Sequence, residues 1–262
     1  NIDYHLNQGI DHIIVTNNLS TDGTRDILES YKKEGVITII EELNDDYSQS
    51  TWVTNMARMA HKKLKADWII NNDADEFWFA DNINLRSFFE SLLEENIVIG
   101  NRSDMICLDN KDTSGIPFYK RMKYKKKFST NSQGRPLPPK VAHKGDPNVQ
   151  VYQGNHKVFL PSREVCRSSK KLDILHFPIR SSYQFKEKIR LGGKAYSNNT
   201  KLPNSVGDTW RAMYEELIQT GEISFIKENI VSESDLKKMI SEGQVLLDSR
   251  LEKSMEEIYA RS

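Results

Sequence analysis

The sequence predicts an α/β protein: a mostly parallel sheet with helices on both faces, followed by a helical C-terminal extension. Three observations carry that expectation. Apolar runs alternate with stretches of helical periodicity over residues 12–72, the β-α-β-α-β order that builds parallel sheets. The stretch ADWIINNDADEFWF, residues 66–79, ends an apolar run in three acids, Asp73, Asp75 and Glu76. Open α/β sheets place their ligands at such strand ends. Beyond Pro203 the chain becomes charged, with helical spacing of its apolar residues.

Taken in order, residues 2–8 form a helix that stops at Gly9, since glycine ends helices readily. Residues 12–16 are a buried strand, and 17–24 a loop rich in turn and capping residues. Thr21 or Asp22 caps a helix over 24–33, which closes at Gly35. Residues 36–40 are a second strand. Over 49–64, Trp52, Val53, Met56, Met59, Ala60 and Leu64 recur at helical spacing. Residues 67–72 are the third strand. In a parallel sheet the 17–24 loop and the acids share one edge.

A helix is expected over 83–95 and a strand over 105–108. Residues 113–147 look like a long loop-rich excursion carrying Lys120, Arg121, Lys123, Lys125, Lys126 and Lys127. Strand character resumes at 149–160 and 173–177. Residues 181–199 are helical despite Gly192-Gly193, which weaken the helix by about 1 kcal/mol each. Helices follow over 210–220, 233–240 and 244–260. Leu246, Leu247, Leu251, Met255, Ile258 and Tyr259 give the last an apolar stripe. That stripe packs on the core or serves a partner-binding tail.

The 262 residues include 37 Lys+Arg and 37 Asp+Glu, a formal net charge of zero, which argues against nucleic acid binding by overall charge. No apolar run approaches the roughly 20 residues that span a bilayer, and no signal-peptide pattern is present. Asn1 stands where a natural start has Met, so the chain is expected to be part of a longer one. Two cysteines, Cys107 and Cys166, make no disulfide framework. A reducing, cytoplasmic setting is expected, with membrane association left open.

Two aspartates one residue apart can both face a divalent cation, and oxygen ligands suit Mg²⁺ or Mn²⁺ better than Zn²⁺. With Tyr4-His5, Gly9, Ile13-Ile14-Val15 and Asn18-Leu19-Ser20-Thr21-Asp22-Gly23-Thr24, and with Asp73-Ala74-Asp75-Glu76-Phe77 after its strand, the chain resembles the glycosyltransferase family 2-like enzymes of the GT-A fold. Gly154-Asn155-His156-Lys157-Val158 and His176-Phe177-Pro178-Ile179-Arg180-Ser181 resemble that family's C-terminal segment. The resemblance covers roughly residues 2–200. It implies a GT-A (Rossmann-like) domain over 1–200 that lacks its first strand, with 201–262 as the extension.

It further implies hexosyl transfer, as in polysaccharide biosynthesis, from a UDP- or GDP-sugar to a glycan or glycolipid acceptor. Asp73 and Asp75 would hold Mn²⁺ or Mg²⁺ at the diphosphate, with His176 favoured over His156 as third ligand. Asn17, Asn18, Ser20, Asp22 and Asp73 would line the nucleotide, although Asp is common in the family where Asn17 stands. Arg180, Lys157, Lys140 and Lys188 are candidates for phosphate, an arginine fork suiting it best. The Lys123–Lys127 run is either a solvated face or serves the diphosphate or an anionic acceptor. Family 2 members generally invert, so a carboxylate should deprotonate the acceptor. Asp109 is favoured, with Glu76, Asp112 and Asp173 as alternatives. His5, His12, His61 and His143 are read as structural. The rival functions are a phosphatase of the haloacid dehalogenase type, a nucleotidyltransferase and a non-catalytic carbohydrate-binding or scaffolding domain.

Overall fold

The computed structural model of the chain describes residues 1–46, 48–109, 115–200, 202–203 and 205–260. Its first half runs α1 (Ile2–Asn7), β1 (Ile13–Asn18), α2 (Thr24–Lys33), β2 (Ile37–Glu42), α3 (Gln49–Leu64), β3 (Trp68–Ile70), β4 (Glu76–Phe79), α4 (Leu85–Glu90), β5 (Ile97–Asp104) and β6 (Cys107–Leu108). It continues with α5 (Phe118–Arg121), β7 (Tyr124–Lys126), β8 (Lys140–Lys144), β9 (Gln150–Val151), a 3-10 turn (Gln153–Asn155), β10 (Val158–Phe159), β11 (Arg167–His176) and α6 (Ser182–Asn198). The last elements are α7 (Asp208–Thr220), α8 (Ser224–Asn229), β12 (Ile230–Val231), α9 (Glu233–Ser241), β13 (Val245–Leu247) and α10 (Arg250–Tyr259). None of the described helices is long and apolar enough to cross a membrane.

The chain folds as two compact units. The first comprises Asn1–Ala74, Trp78–Asn101 and Pro138–Asp173. Here α2 and α3 fall where periodicity placed them. Gly35, at φ +78°, takes the left-handed conformation that ends α2's turn. β1 and β2 run parallel, in register from Ile13↔Ile37 to Asn18↔Glu42. β8 is antiparallel to both β3 (Ile69↔His143) and β5 (Val98↔Ala142), so the strand pairing is mixed rather than mostly parallel. β8 corrects the loop expected over 113–147. Its sequence, KVAHK, follows Pro138-Pro139 and carries a charge at each end, which hides a strand whose Val141, Ala142 and His143 are buried. A core of Val53, Ala57, Ile97, Val141, Val149, Val151, Val158 and Leu160 closes the unit. Val53 and Ala57 stand one turn apart, on the buried face that α3's spacing predicts. α1 is fixed by Tyr4, whose hydroxyl donates to the Trp78 carbonyl at 2.7 Å.

The second unit comprises Asp75–Phe77, Arg102–Leu137 and Ile174–Ser262. β6 pairs parallel with β12, and β7 antiparallel with β13. Met105 N–H bonds the His176 carbonyl at 2.8 Å, and Phe177 N–H the Asp75 carbonyl at 2.9 Å. The rings of Phe77, Phe118 and Phe177 cluster, with centroids 5.0 to 6.1 Å apart.

The Gly192-Gly193 pair that weakens α6 has a packing purpose. A Cβ on Gly192 would stand 2.6 Å from the Trp210 ring, and one on Gly193 2.4 Å from Tyr214 Cβ. Only glycine lets α7 approach this closely. The expected helix over 244–260 divides into β13 and α10, because Asp248 N–H bonds the Lys123 carbonyl at 2.7 Å and Val245–Leu247 joins β7. Several lysines of the basic run have partners within the unit. Lys120 pairs with Glu256 at 3.3 Å, Lys123 with Glu252 at 2.7 Å and Lys125 with Asp248 at 2.9 Å, while Lys126 bonds Asn229. These lysines tie the C-terminal elements to the unit.

Candidate functional site

β3 is short, and the acids follow it in a turn rather than inside the strand. Asp73 belongs to the first unit. Its Oδ1 accepts from Asn155 Nδ2 at 3.0 Å and Gln49 Nε2 at 3.2 Å. Its Oδ2 pairs with the Lys140 ammonium, on a side chain only 1 % exposed. Gln49 opens α3, and its Oε1 accepts from Gly154 N–H at 3.0 Å. Gln153 Oε1 accepts from Ser50 N–H at 2.9 Å. Gly154 and Asn155 sit at φ +76° and +60°, the left-handed region that glycine and asparagine enter most readily. That backbone turns the Asn155 amide onto Asp73. The carboxylate is thus the hub of a network joining α3, β8 and the 3-10 turn. His156 Nδ1 lies against the Pro139 carbonyl at 2.9 Å.

Asp75 belongs to the second unit. The Lys188 ammonium stands 2.5 Å from its Oδ2, and His176 Nε2 lies 3.7 Å from the same oxygen. The other imidazole nitrogen, Nδ1, bonds Asp104 Oδ1 at 2.7 Å. Burial alone would raise the Asp75 pKa, but the Lys188 and His176 charges hold the carboxyl well below its usual range. Burial opposes charge on His176 too, yet the Asp75 charge and the Asp104 hydrogen bond raise it to about 9. Glu76 is fully buried against Arg102 at 3.4 Å, a placement that suits a fixed ion pair better than proton exchange with an acceptor.

The remaining expected residues are spread over both units. Asn17 is buried at the end of β1, where its Nδ2 donates to Glu41 Oε2 at 2.7 Å. Its Oδ1 has no hydrogen-bond partner among the described residues. Asn18 Nδ2 bonds the Asn44 and Glu42 carbonyls at 2.9 and 3.2 Å. Ser20 is exposed. Asp22 accepts from Thr24 N–H at 3.0 Å, but the N-cap of α2 is Gly23, with no side-chain cap hydrogen bond, so neither Thr21 nor Asp22 caps the helix as expected. Hydrogen bonds from Thr24 hold the Asp22 pKa down. Lys157 is exposed, 5.3 Å from the centre of the Tyr152 ring. Arg180 lies with its guanidinium 5.4 Å from the centre of the Phe118 ring. Asp109 is exposed at the end of β6, its N–H on the Val231 carbonyl at 2.9 Å. Asp173 is exposed as well, and Asp112 lies outside the described residues.

Among the described residues, no three His, Cys, Asp or Glu side chains gather in a way that would hold a metal by themselves. Asp75 and His176 still fit one as partial ligands. A metal-bound histidine usually gives its other nitrogen to a carboxylate, as His176 does to Asp104. Mg²⁺ commonly takes few protein ligands and completes its shell with phosphate and water.

Sequence reasoning missed Asp104, Arg102, Gln49 and Asn155. Asp104 ends β5, a strand overlooked because its charged and polar second half, Asn101 to Asp104, breaks the apolar pattern. Asn155 had a usable signal, a Gly-Asn pair in a turn. The family model of glycosyltransferase family 92 matches residues 1–169. A search of curated proteins found no match.

Proposed function

The chain belongs to glycosyltransferase family 92, and from that membership we propose that it transfers a hexosyl group from a UDP- or GDP-sugar to a hydroxyl of a glycan or glycolipid. The observation that carries the site assignment is the line Asp104–His176–Asp75, in which the imidazole is fixed at one nitrogen and turned to a carboxylate at the other. Asp75 and His176 are the residues that would hold Mn²⁺ or Mg²⁺. The cation, when bound, supplies positive charge to the diphosphate as it leaves.

The chain's own residues supply orientation. Asp104 holds the His176 ring in one pose. Arg180, backed by the Phe118 ring, presents a planar fork suited to phosphate oxygens. Asn17 and Asn18 stay the residues proposed for nucleoside contact from the sequence alone. Asp109, exposed on its strand end, is the candidate base that takes the acceptor proton in an inverting displacement. Asp73 keeps its place as the anchor of the network around it. The order β1-α2-β2-α3-β3 ahead of the acids, with β1 and β2 parallel, supports a GT-A-type scaffold.

Incubation with a panel of nucleotide-sugars, with and without Mn²⁺, tests the reading through donor hydrolysis and thermal protection. At least one donor is expected to respond, and only with metal. Asp75→Ala should abolish that response while the protein still folds. A protein indifferent to every donor would sink the assignment.

A further inference from the structure

Lys188 has a place in the site that pairing with Asp75 alone does not explain. It projects from α6 with its ammonium 2.5 Å from Asp75 Oδ2 and 5.7 Å from the centre of the Trp210 ring. Its side chain is 27 % exposed, so solvent and ligands reach it. Gly192 stands one turn further along α6, where the missing Cβ leaves room for Trp210 at 2.6 Å. The indole therefore lies directly on α6 and backs the lysine.

We propose that Lys188 is a diphosphate-binding residue that rests on Asp75 when no donor is present and moves to the phosphates when a divalent cation takes that carboxylate. The inference rests on the transferase reading above. Its logic is electrostatic. Asp75 carries one negative charge, which Lys188 already neutralises. Asp75, holding a divalent cation, would no longer need the ammonium, which the added charge would repel and the oxygens of a nucleoside diphosphate would attract. A lysine suits such an exchange, because its ammonium is a compact charge on a flexible four-carbon stem. Metal and nucleotide should then help one another, since each relieves a cost met by the other, and such coupling is reciprocal. Trp210 reports the movement, because an ammonium leaving the face of its ring alters the indole's surroundings.

The experiment uses the chain as it stands. Mg²⁺ is the probe metal, since it does not itself quench indole fluorescence. UDP and GDP are the probe nucleotides, and binding is followed by calorimetry and by tryptophan fluorescence. In the wild type, Mg²⁺ should tighten nucleotide binding at least tenfold, with a fluorescence change that Trp210→Phe removes. In Lys188→Met, Mg²⁺ alone should bind several-fold tighter, because its competitor is gone. Nucleotide binding in the presence of Mg²⁺ should weaken about tenfold. Lys188→Arg, which keeps the charge, should restore most of the nucleotide affinity and controls for folding. A Lys188→Met protein that binds Mg²⁺ and nucleotide as the wild type does overturns this proposal alone. A wild type that binds neither UDP nor GDP overturns the transferase reading and this proposal together.

Discussion

Replacing Asp73 should do more damage through Lys140 than through loss of any ligand. The Lys140 side chain is 1 % exposed and that of Asp73 32 %, so the two ends of the pair respond differently to loss of the other. Removing one partner of a buried pair costs about 3–5 kcal/mol, because a buried charge loses its counter-ion. Partial access of water to the Asp73 side puts Asp73→Ala near the lower end, about 3 kcal/mol. Lys140→Met keeps the apolar stem and leaves Asp73 with its Asn155 and Gln49 donors. That change should cost about 1 kcal/mol. The double variant should cost only about 2 kcal/mol, because methionine removes the buried ammonium as well, giving a coupling of about 2 kcal/mol. In a chain this long, each kcal/mol moves the melting point by roughly 2–4 °C. Urea unfolding in EDTA, followed by circular dichroism, measures all four proteins. Equal losses for the two single variants, or strict additivity in the double, would refute the reasoning. The practical result is that Asp73→Ala is a poor probe of metal binding unless its stability is measured beside it.

Other outcomes follow from the same structure. Burial pushes His143 from 6.5 down to about 4, so between those values the unfolded chain binds a proton that the folded chain refuses. Stability should be full above about pH 6.5 and fall as pH drops toward 4, by at most roughly 3 kcal/mol from this group; His143→Leu should flatten the decline in acid unfolding curves. Lys125→Met should cost about 1 kcal/mol, because Arg250 still holds Asp248 at 2.7 Å, and nucleotide binding should not change. If binding falls instead, the basic run has a role beyond tying down the C-terminal elements. Gly193→Ala forces a Cβ to 2.4 Å from Tyr214 Cβ; it should destabilise by about 1–3 kcal/mol, and an unchanged melting point would mean that α7 shifts freely.

The helices were legible where one apolar face repeats over several turns. α2 and α3 fall on the expected residues, and α6 does so within a residue at each end. The strands were less legible. β8 hides between prolines and lysines, and β4 was overlooked because its first residue, Glu76, is a buried acid that reads as part of an acidic turn. Its burial depends on Arg102, 26 positions away, and no local pattern announces such a partner. The site divides along the same line. The two aspartates stood out by spacing, and His176 by its position after an apolar strand. Asp104, Gln49 and Asn155 acquire meaning only through contacts made across 24 to 82 positions of chain. The basic run is conspicuous in the sequence, but its partners Glu252, Glu256 and Asp248 lie too far along the chain for a local pattern to name.

The hub at Asp73 also bears on how this motif can be inherited or transplanted. A lineage that exchanged Asp73 for a neutral residue would take the carboxylate from a buried Lys140 ammonium, so the two positions are expected to change together. The Gly154-Asn155 pair, held at positive φ, admits few substitutes. A chimera that carried only Asp-Ala-Asp into another scaffold would import an anion without its cation, its amides or the turn that aims one of them. The portable piece is the set of Gln49, Asp73, Lys140 and the Gly-Asn pair, a compatibility group scattered over a hundred residues of sequence.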